Sequence, residues 1–365
     1  MNVPQLIAAP TPPRETLAQG AIAYAEVRER VAPPGWDRWV QELGGGPFHC
    51  TGWARYRASS AHKQALFFAW YLPGSLHPVA VALGVDSSLP GPFRARSVEF
   101  DAPPATRLDA RRLVGGVQRW MRSQRGVADA WLGSFDANQA WTGAVGSPTR
   151  IELRVTPAPE DELAGRMRTL ARRSLRRARE SGIEVDANSA ELGGFVNLYG
   201  ETLERLRRTK DVSTALGDRD IEVRRLTRLR QDGVARLVLA CEHGTPVAGA
   251  LFTVFARRAF YLSGGTNDAG RRTGAMTAVL HRAISEFSAA GFVCVNLGGV
   301  SAGAPLPSSP DHGLYAFKRG MGAVAHPCHD SRIVVRPARC RLVQGARDTR
   351  SAVLRLRANA RLTLH

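Results

Sequence analysis

Apolar residues recur along this chain at two spacings. Short runs such as "ALFFAWYL" (65–72) and "VAVALGV" (79–85), separated by the turn-like "PGSLHP", read as the two strands of a hairpin. Helical spacing precedes them near Trp36–Leu43 and follows them across Leu108–Arg122, and "ADAWLGSFD" (128–136) then reads as a strand. A second series begins with helices at Leu192–Arg208 and Asp218–Gln231. It continues with the strand pair "ARLVLACE" (235–242) and "PVAGALFTVF" (246–255) joined by "HGT", and a third strand "RAFYLSGG" (258–265). A helix over Thr273–Ala290 and a strand "FVCVNLGG" (292–299) complete it. Each half runs hairpin, long helix, strand, which is one α/β unit used twice.

Between the halves, "DELAGRMRTLARRSLRRARESG" (161–182) carries Leu163, Met167, Leu170, Ala171 and Leu175 at helical spacing, with Gly182 as a C-terminal stop. Arg166, Arg168, Arg172, Arg173, Arg176, Arg177 and Arg179 fill its other faces. Seven like charges on one helix repel, so a bound polyanion would relieve a cost; a solvated face paired to neighbouring elements is the alternative. The predicted organisation is a loosely ordered leader over 1–33, a first domain over 34–160, a basic linking helix over 161–183, a second domain over 184–337 and a basic tail over 338–365. "RIVVRP" (332–337) reads as a strand.

Composition changes this picture in three places. The formal charge is +18, and basic residues outnumber acidic ones 50 to 32, an excess that attracts polyanions such as RNA or nucleotide phosphates. Only Lys63, Lys210 and Lys318 are lysines. A lysine kept against that bias suits a site needing a compact ammonium where arginine's planar fork binds differently. The five cysteines form no C-x-x-C pair, which predicts free thiols in a reducing cytoplasm. The apolar runs are too short to span a bilayer, so no transmembrane helix is expected.

Three motifs invite chemistry. "GVSAG" (299–303) has the form of a nucleophile elbow, but three prolines in "APLPSSPDHG" forbid the helix an elbow must enter. "HPCHD" (326–330) has ligand-type residues in no established zinc spacing, and no metal is expected. "GRRTGAM" (270–276), with Arg271 and Arg272 at a helix start, could hold a phosphate on backbone N–H groups.

The remaining motifs resemble those of the Fem-type aminoacyltransferases. "GLYAFKRGMG" (313–322) is similar to that family's G-[IL]-Y-x-F-K-x-G-F-G segment, and "VNLGGVS" (295–301) to the strand before it. "GWARYR" (52–57), "SFD" (134–136), "LRRARESGIEV" (175–185), "FVNLYGETLER" (195–205) and "YLSGG" (261–265) match in the same order. Asn296 stands where the family usually has aspartate, Met321 replaces the second aromatic, and no helical hairpin arm is inserted.

The resemblance implies an α/β (α+β) fold of two tandem GNAT-like domains, each a mixed twisted sheet flanked by helices. It implies transfer of an amino acid from aminoacyl-tRNA, the co-substrate, to a free amine of a peptidoglycan precursor or secondary metabolite, with no other cofactor, metal or ATP. An aminoacyl ester is already activated, so the chemistry needs alignment and charge stabilisation more than a covalent nucleophile. By the match, Lys318 would stabilise the developing oxyanion or the tRNA end, Phe317 would shape its channel, and Asp136 would accept the amine proton. For Lys318 a structural alternative is pairing with a neighbouring carboxylate. Arg57 and Arg205 would hold acceptor phosphates, with Trp53, Tyr261 and Tyr315 beside the substrate. Arg172, Arg173, Arg176, Arg177, Arg271 and Arg272 would meet the tRNA backbone. The protein is expected to be a cytoplasmic monomer with no DNA partner and at most peripheral membrane contact. An acyl-CoA-dependent GNAT N-acyltransferase, with "GRRTGAM" as pyrophosphate cradle, is the competing expectation.

Overall fold

The computed structural model describes residues 24–341, apart from 61, 89–94, 138, 143–146 and 211–218, together with residue 345. In chain order the first half contains β1 (Tyr24–Glu29), α1 (Trp36–Glu42), α2 (Thr51–Arg57), β2 (Lys63–Tyr71), β3 (Pro78–Ser88), β4 (Arg96–Phe100), β5 (Ala105–Thr106), α3 (Val114–Ser123) and β6 (Val127–Leu132). Then come β7 (Arg150–Val155), α4 (Glu160–Arg166), α5 (Thr169–Glu180), β8 (Glu184–Asp186), α6 (Leu192–Lys210), α7 (Arg219–Gln231), β9 (Ala235–Glu242), β10 (Thr245–Phe255) and β11 (Arg258–Thr266). The last elements are α8 (Asp268–Thr273), α9 (Ala275–Ala289), β12 (Cys294–Ser301), α10 (His312–Gly320), β13 (Val324–Cys328) and β14 (Ser331–Val334).

The strands form two sheets, ordered β1-β2-β3-β4-β6-β14 and β13-β7-β12-β11-β10-β9-β8, with β5 pairing β3. Each sheet has one parallel pair, β4 with β6 and β11 with β12. A helical crossover joins each pair, α3 in the first sheet and α8–α9 in the second. The repeated unit seen in the sequence is therefore real. Its strands are exchanged, however: β7 follows β6 in the chain yet pairs with β12, and β14 returns from the far end to pair with β6. A boundary at residue 160 would leave β7 with the wrong sheet.

Strand alternation builds the cores. Leu66, Phe68 and Trp70 point to a cluster with Phe100, Met121, Trp141 and Ile333, while Ala65, Phe67, Ala69 and Tyr71 point the other way. That second face meets Trp36, Trp53, Phe195, Leu226, Leu237, Leu251 and Phe260, so one apolar cluster is built from both halves. Phe252, Val279, Ile284 and Phe287 lie in a third cluster on the other face of the second sheet. Each large side chain so buried contributes about 1.5–3 kcal/mol, which welds the halves face to face.

Besides that boundary, two expectations need correction. Residues 24–29 of the proposed leader are a strand, paired antiparallel with β2 from Tyr24↔Tyr71 to Glu29↔Leu66; residues 1–23 lie outside the described residues. The linking helix is two helices, because the Arg168 N–H donates to Gly320 O (2.9 Å) and Met167 turns extended to allow it. That break leaves Leu170 exposed, while Ala171, Leu175 and Ala178 face the core. The tail beyond 341, except 345, lies outside the described residues. All five cysteines are free. Among the described residues no helix is long and apolar enough to cross a membrane.

Candidate active site

The parallel pairing of β11 with β12 stops at Phe260↔Asn296. Beyond that point the ladder ends, and Lys318 of α10 reaches in between the two strands. Its Nζ donates to Gly299 O at 3.2 Å and lies 5.8 Å from the centre of the Tyr261 ring. Lys318 is only 6% exposed. No carboxylate lies within ion-pair distance of it among the described residues. Burial pulls its pKa down to about 8, with Glu152 and Asp311 opposing the shift. "GLYAFKRGMG" thus lies largely on a helix and delivers a buried ammonium to an interior strand of the second sheet.

That ammonium lines a cavity of about 520 Å³ shared by the two halves. Phe48, Trp53, Tyr56, Arg57, Lys63, Asp101 and Phe135 come from the first half; Arg225, Phe260, Tyr261, Leu262, Gly298, Gly299 and Lys318 come from the second. The aromatic wall is fixed by edge-to-face packing, with Phe48 5.1 Å from Trp53 and 4.8 Å from Phe260 between ring centres. Asp101, the residue after β4, accepts from Trp53 Nε1 (2.8 Å) and from Arg57 Nη1. Arg57 also donates to Glu99 (2.8 Å). Arg225 pairs with Glu222 (3.0 Å) and lies 4.6 Å over the Tyr56 ring. The cavity arginines are thus held by carboxylates, whereas Lys63 and Lys318, two of the chain's three lysines, have none within ion-pair distance among the described residues.

The expected site residues divide accordingly. Lys318, Tyr261, Trp53 and Arg57 meet in the cavity. Phe317 and Tyr315 pack against the second-half core and are not among its lining residues. Arg205 on α6 is also outside the lining; burial and the nearby Arg271 lower its pKa. Asp136 is the clearest departure. It has a left-handed backbone (φ 53°), and its carboxylate accepts from Arg258 Nε (2.7 Å) and Asn296 Nδ2 (3.1 Å) beside a separate pocket. The carboxylate that faces Lys318's cavity is Asp101. Its signal in the sequence is "VEFDAPP" (98–104), a short apolar strand ending in aspartate before two prolines, which the pattern reading passes over.

Arg172, Arg173, Arg176 and Arg177 are exposed on α5, and Arg271 and Arg272 on α8. Arg176 lies 3.8 Å from Glu180, and Arg271 pairs with Asp268. α5 packs against α9 and α10, the helix that carries Lys318.

"GRRTGAM" does not open a single helix. α8 carries both arginines and ends at Gly274 (φ 79°), and α9 starts afresh. The first turn of α9 is covered: Ala275 and Thr277 are buried, and Thr277 Oγ1 donates to Ser174 Oγ of α5 at 3.3 Å. A Cβ at Gly274 would stand 2.5 Å from Ser174 Oγ and 2.8 Å from its carbonyl oxygen. Gly274→Ala therefore adds strain at a positive φ to a clash with backbone, and should cost about 1–3 kcal/mol of stability. Urea denaturation measures this; a midpoint unchanged from the parent would contradict the tight joint.

Residues 165–319 match the family described as "Acetyltransferase (GNAT) domain". FemX superposes with a TM-score of 0.67 at 13% identity, covering 87% of this chain and 99% of that one. A conserved protein of unknown function from Bacteroides thetaiotaomicron superposes with a TM-score of 0.50 at 8% identity, covering 83% and 97%. No curated protein matches the chain in sequence. At these identities the likeness is one of fold, and it bears out the Fem-type resemblance at that level: the chain has a GNAT acyltransferase fold in tandem.

Proposed function

Taking the Fem-type fold as premise, we propose that the protein transfers an amino acid from aminoacyl-tRNA to an amine, forming an amide. The observation that carries this reading is the buried ammonium of Lys318, without a carboxylate partner among the described residues, in an aromatic cavity built from both halves. The amine nitrogen attacks the ester carbonyl, and the carbonyl oxygen gains negative charge. Lys318 faces that charge in a medium where a fixed cation is worth far more than in water. Asp101 takes the proton leaving the amine, the bond from carbonyl carbon to the ribose oxygen breaks, and that oxygen leaves as a hydroxyl with the proton Asp101 returns. Tyr261 and Trp53 flank the acyl group. The exposed arginines of α5 and α8 support a polyanionic donor, since each phosphate contact releases counterions.

The covered start of α9 weighs against an acyl-CoA donor. Phosphate capture at a helix N-terminus needs open N–H groups, and here α5 packs over them. The acceptor is an amine-bearing cell-wall precursor or metabolite.

The test supplies tRNA charged with a labelled amino acid and a panel of such amines. Labelled amide should form and be abolished by ribonuclease. Acyl transfer from CoA thioesters that survives ribonuclease, with CoA binding in calorimetry, would replace this reading with the acyl-CoA one.

A further inference from the structure

β12 is irregular where it passes Lys318. Its register against β7 shifts between Asn296 and Gly299, and Gly298 adopts φ 78°. Asn296 is fully buried at the start of this bulge. Its Nδ2 donates to Glu152 Oε2 (2.7 Å) and to Asp136 Oδ1 (3.1 Å), while its Oδ1 accepts the Gly298 N–H (2.9 Å). One residue further on, the Gly299 carbonyl holds Lys318 Nζ. An unbroken chain of contacts therefore runs from two buried carboxylates through one amide to the bulge and on to the ammonium.

The carboxylates are themselves fixed. Glu152 accepts from Arg150 (2.7 Å) and Arg154 (3.1 Å), and Asp136 from Arg258 (2.7 Å). Only an amide can complete the arrangement. It has two N–H donors for two carboxylates and a carbonyl for the backbone N–H, whereas an ionised aspartate would set a third negative charge against the first two.

We propose that Asn296 is the positioning residue for Lys318: it pins the β12 bulge so that Gly299 O holds the ammonium in the gap between β11 and β12. It does not touch substrate. Its effect on rate rests on the catalytic role given to Lys318 above, but its effect on the geometry of Lys318 does not.

The chain has three lysines, so selective 13C-lysine labelling gives three ε-methylene signals, and the one missing in Lys318→Met identifies residue 318. In the parent this signal should titrate at about 8. Charged groups facing the ammonium are Glu152 on β7 and Asp311 ahead of α10, with the Tyr261 ring on β11. In Asn296→Ala the bulge is unpinned, the ammonium reaches water, and its midpoint rises by about one unit or more toward the ordinary lysine value. In Asn296→Asp the midpoint rises as well, because negative charge is added and the clamp is lost. Transfer by either variant should fall about 10-fold in kcat with a smaller change in KM.

Thermal melting identifies which variants are folded, and either one suffices. A folded variant whose Lys318 midpoint and kcat both match the parent overturns the proposal. If Lys318→Met leaves the rate unchanged, the catalytic role falls, and the midpoint in the Asn296 variants alone then decides: a rise supports the positioning, and no rise refutes it.

Discussion

Lys318→Met should transfer its amino acid about 10²-fold or more slowly than the parent, the scale seen when one contact to a developing oxyanion is removed. The loss belongs in kcat, because the charge that Lys318 answers appears only as the carbonyl is attacked. Folding should survive, since methionine fills much of the same volume and the lysine forms no ion pair that would be broken. Lys318→Arg should not rescue the rate: a planar fork cannot enter between Tyr261 and Gly299 as a point charge does. The pH profile gives a second reading. The active form is the ammonium and burial holds its pKa at about 8, so this contribution is present below that pH. It falls as pH rises through that value, tenfold per unit beyond it. Single-turnover assays across pH check both statements. A near-normal rate in Lys318→Met would remove the role.

Asp101→Asn should lower kcat by about 10² to 10⁴, the range for loss of a general base. The side chain keeps its shape, but the amide cannot accept a proton from the attacking amine. It also turns an N–H toward either Trp53 Nε1 or Arg57, both of which donate to the carboxylate in the parent. A modest fall in thermal midpoint accompanies this. Asp136→Asn makes the contrasting control: it leaves Arg258 buried without its carboxylate, a change that acts on stability. Because Asp136 also anchors Asn296, its kcat per folded molecule should fall by no more than about 10-fold, well short of the loss in Asp101→Asn. The reverse pattern, with Asp101→Asn active and Asp136→Asn inactive yet folded, would return the base to Asp136.

What could be read directly from the chain was whatever depends on neighbours in sequence. Period-2 and helical spacing located β9, β10, β11, α6 and α7 to within a few residues, because each element must bury one face or both. The rarity of lysine narrowed the choice to three residues, and the likeness of "GLYAFKRGMG" to the Fem-type segment picked out residue 318. The strand exchange was not legible, since "RIELRV" (150–155) has the same pattern whichever sheet it joins. The pairing of Asp136 with Arg258, 122 residues apart, and the placing of Asp101 in the cavity instead, were likewise out of reach.

Sequence by itself determined the repeated α/β unit, the positive charge and the scarcity of lysine, because these follow from periodicity and composition. The tertiary structure alone decided which carboxylate lines the cavity of that ammonium, that α5 covers the start of α9, and that Asn296 ties the bulge to two acids. Those outcomes depend on where strands from opposite ends of the chain come to lie side by side, and local spacing carries no record of that.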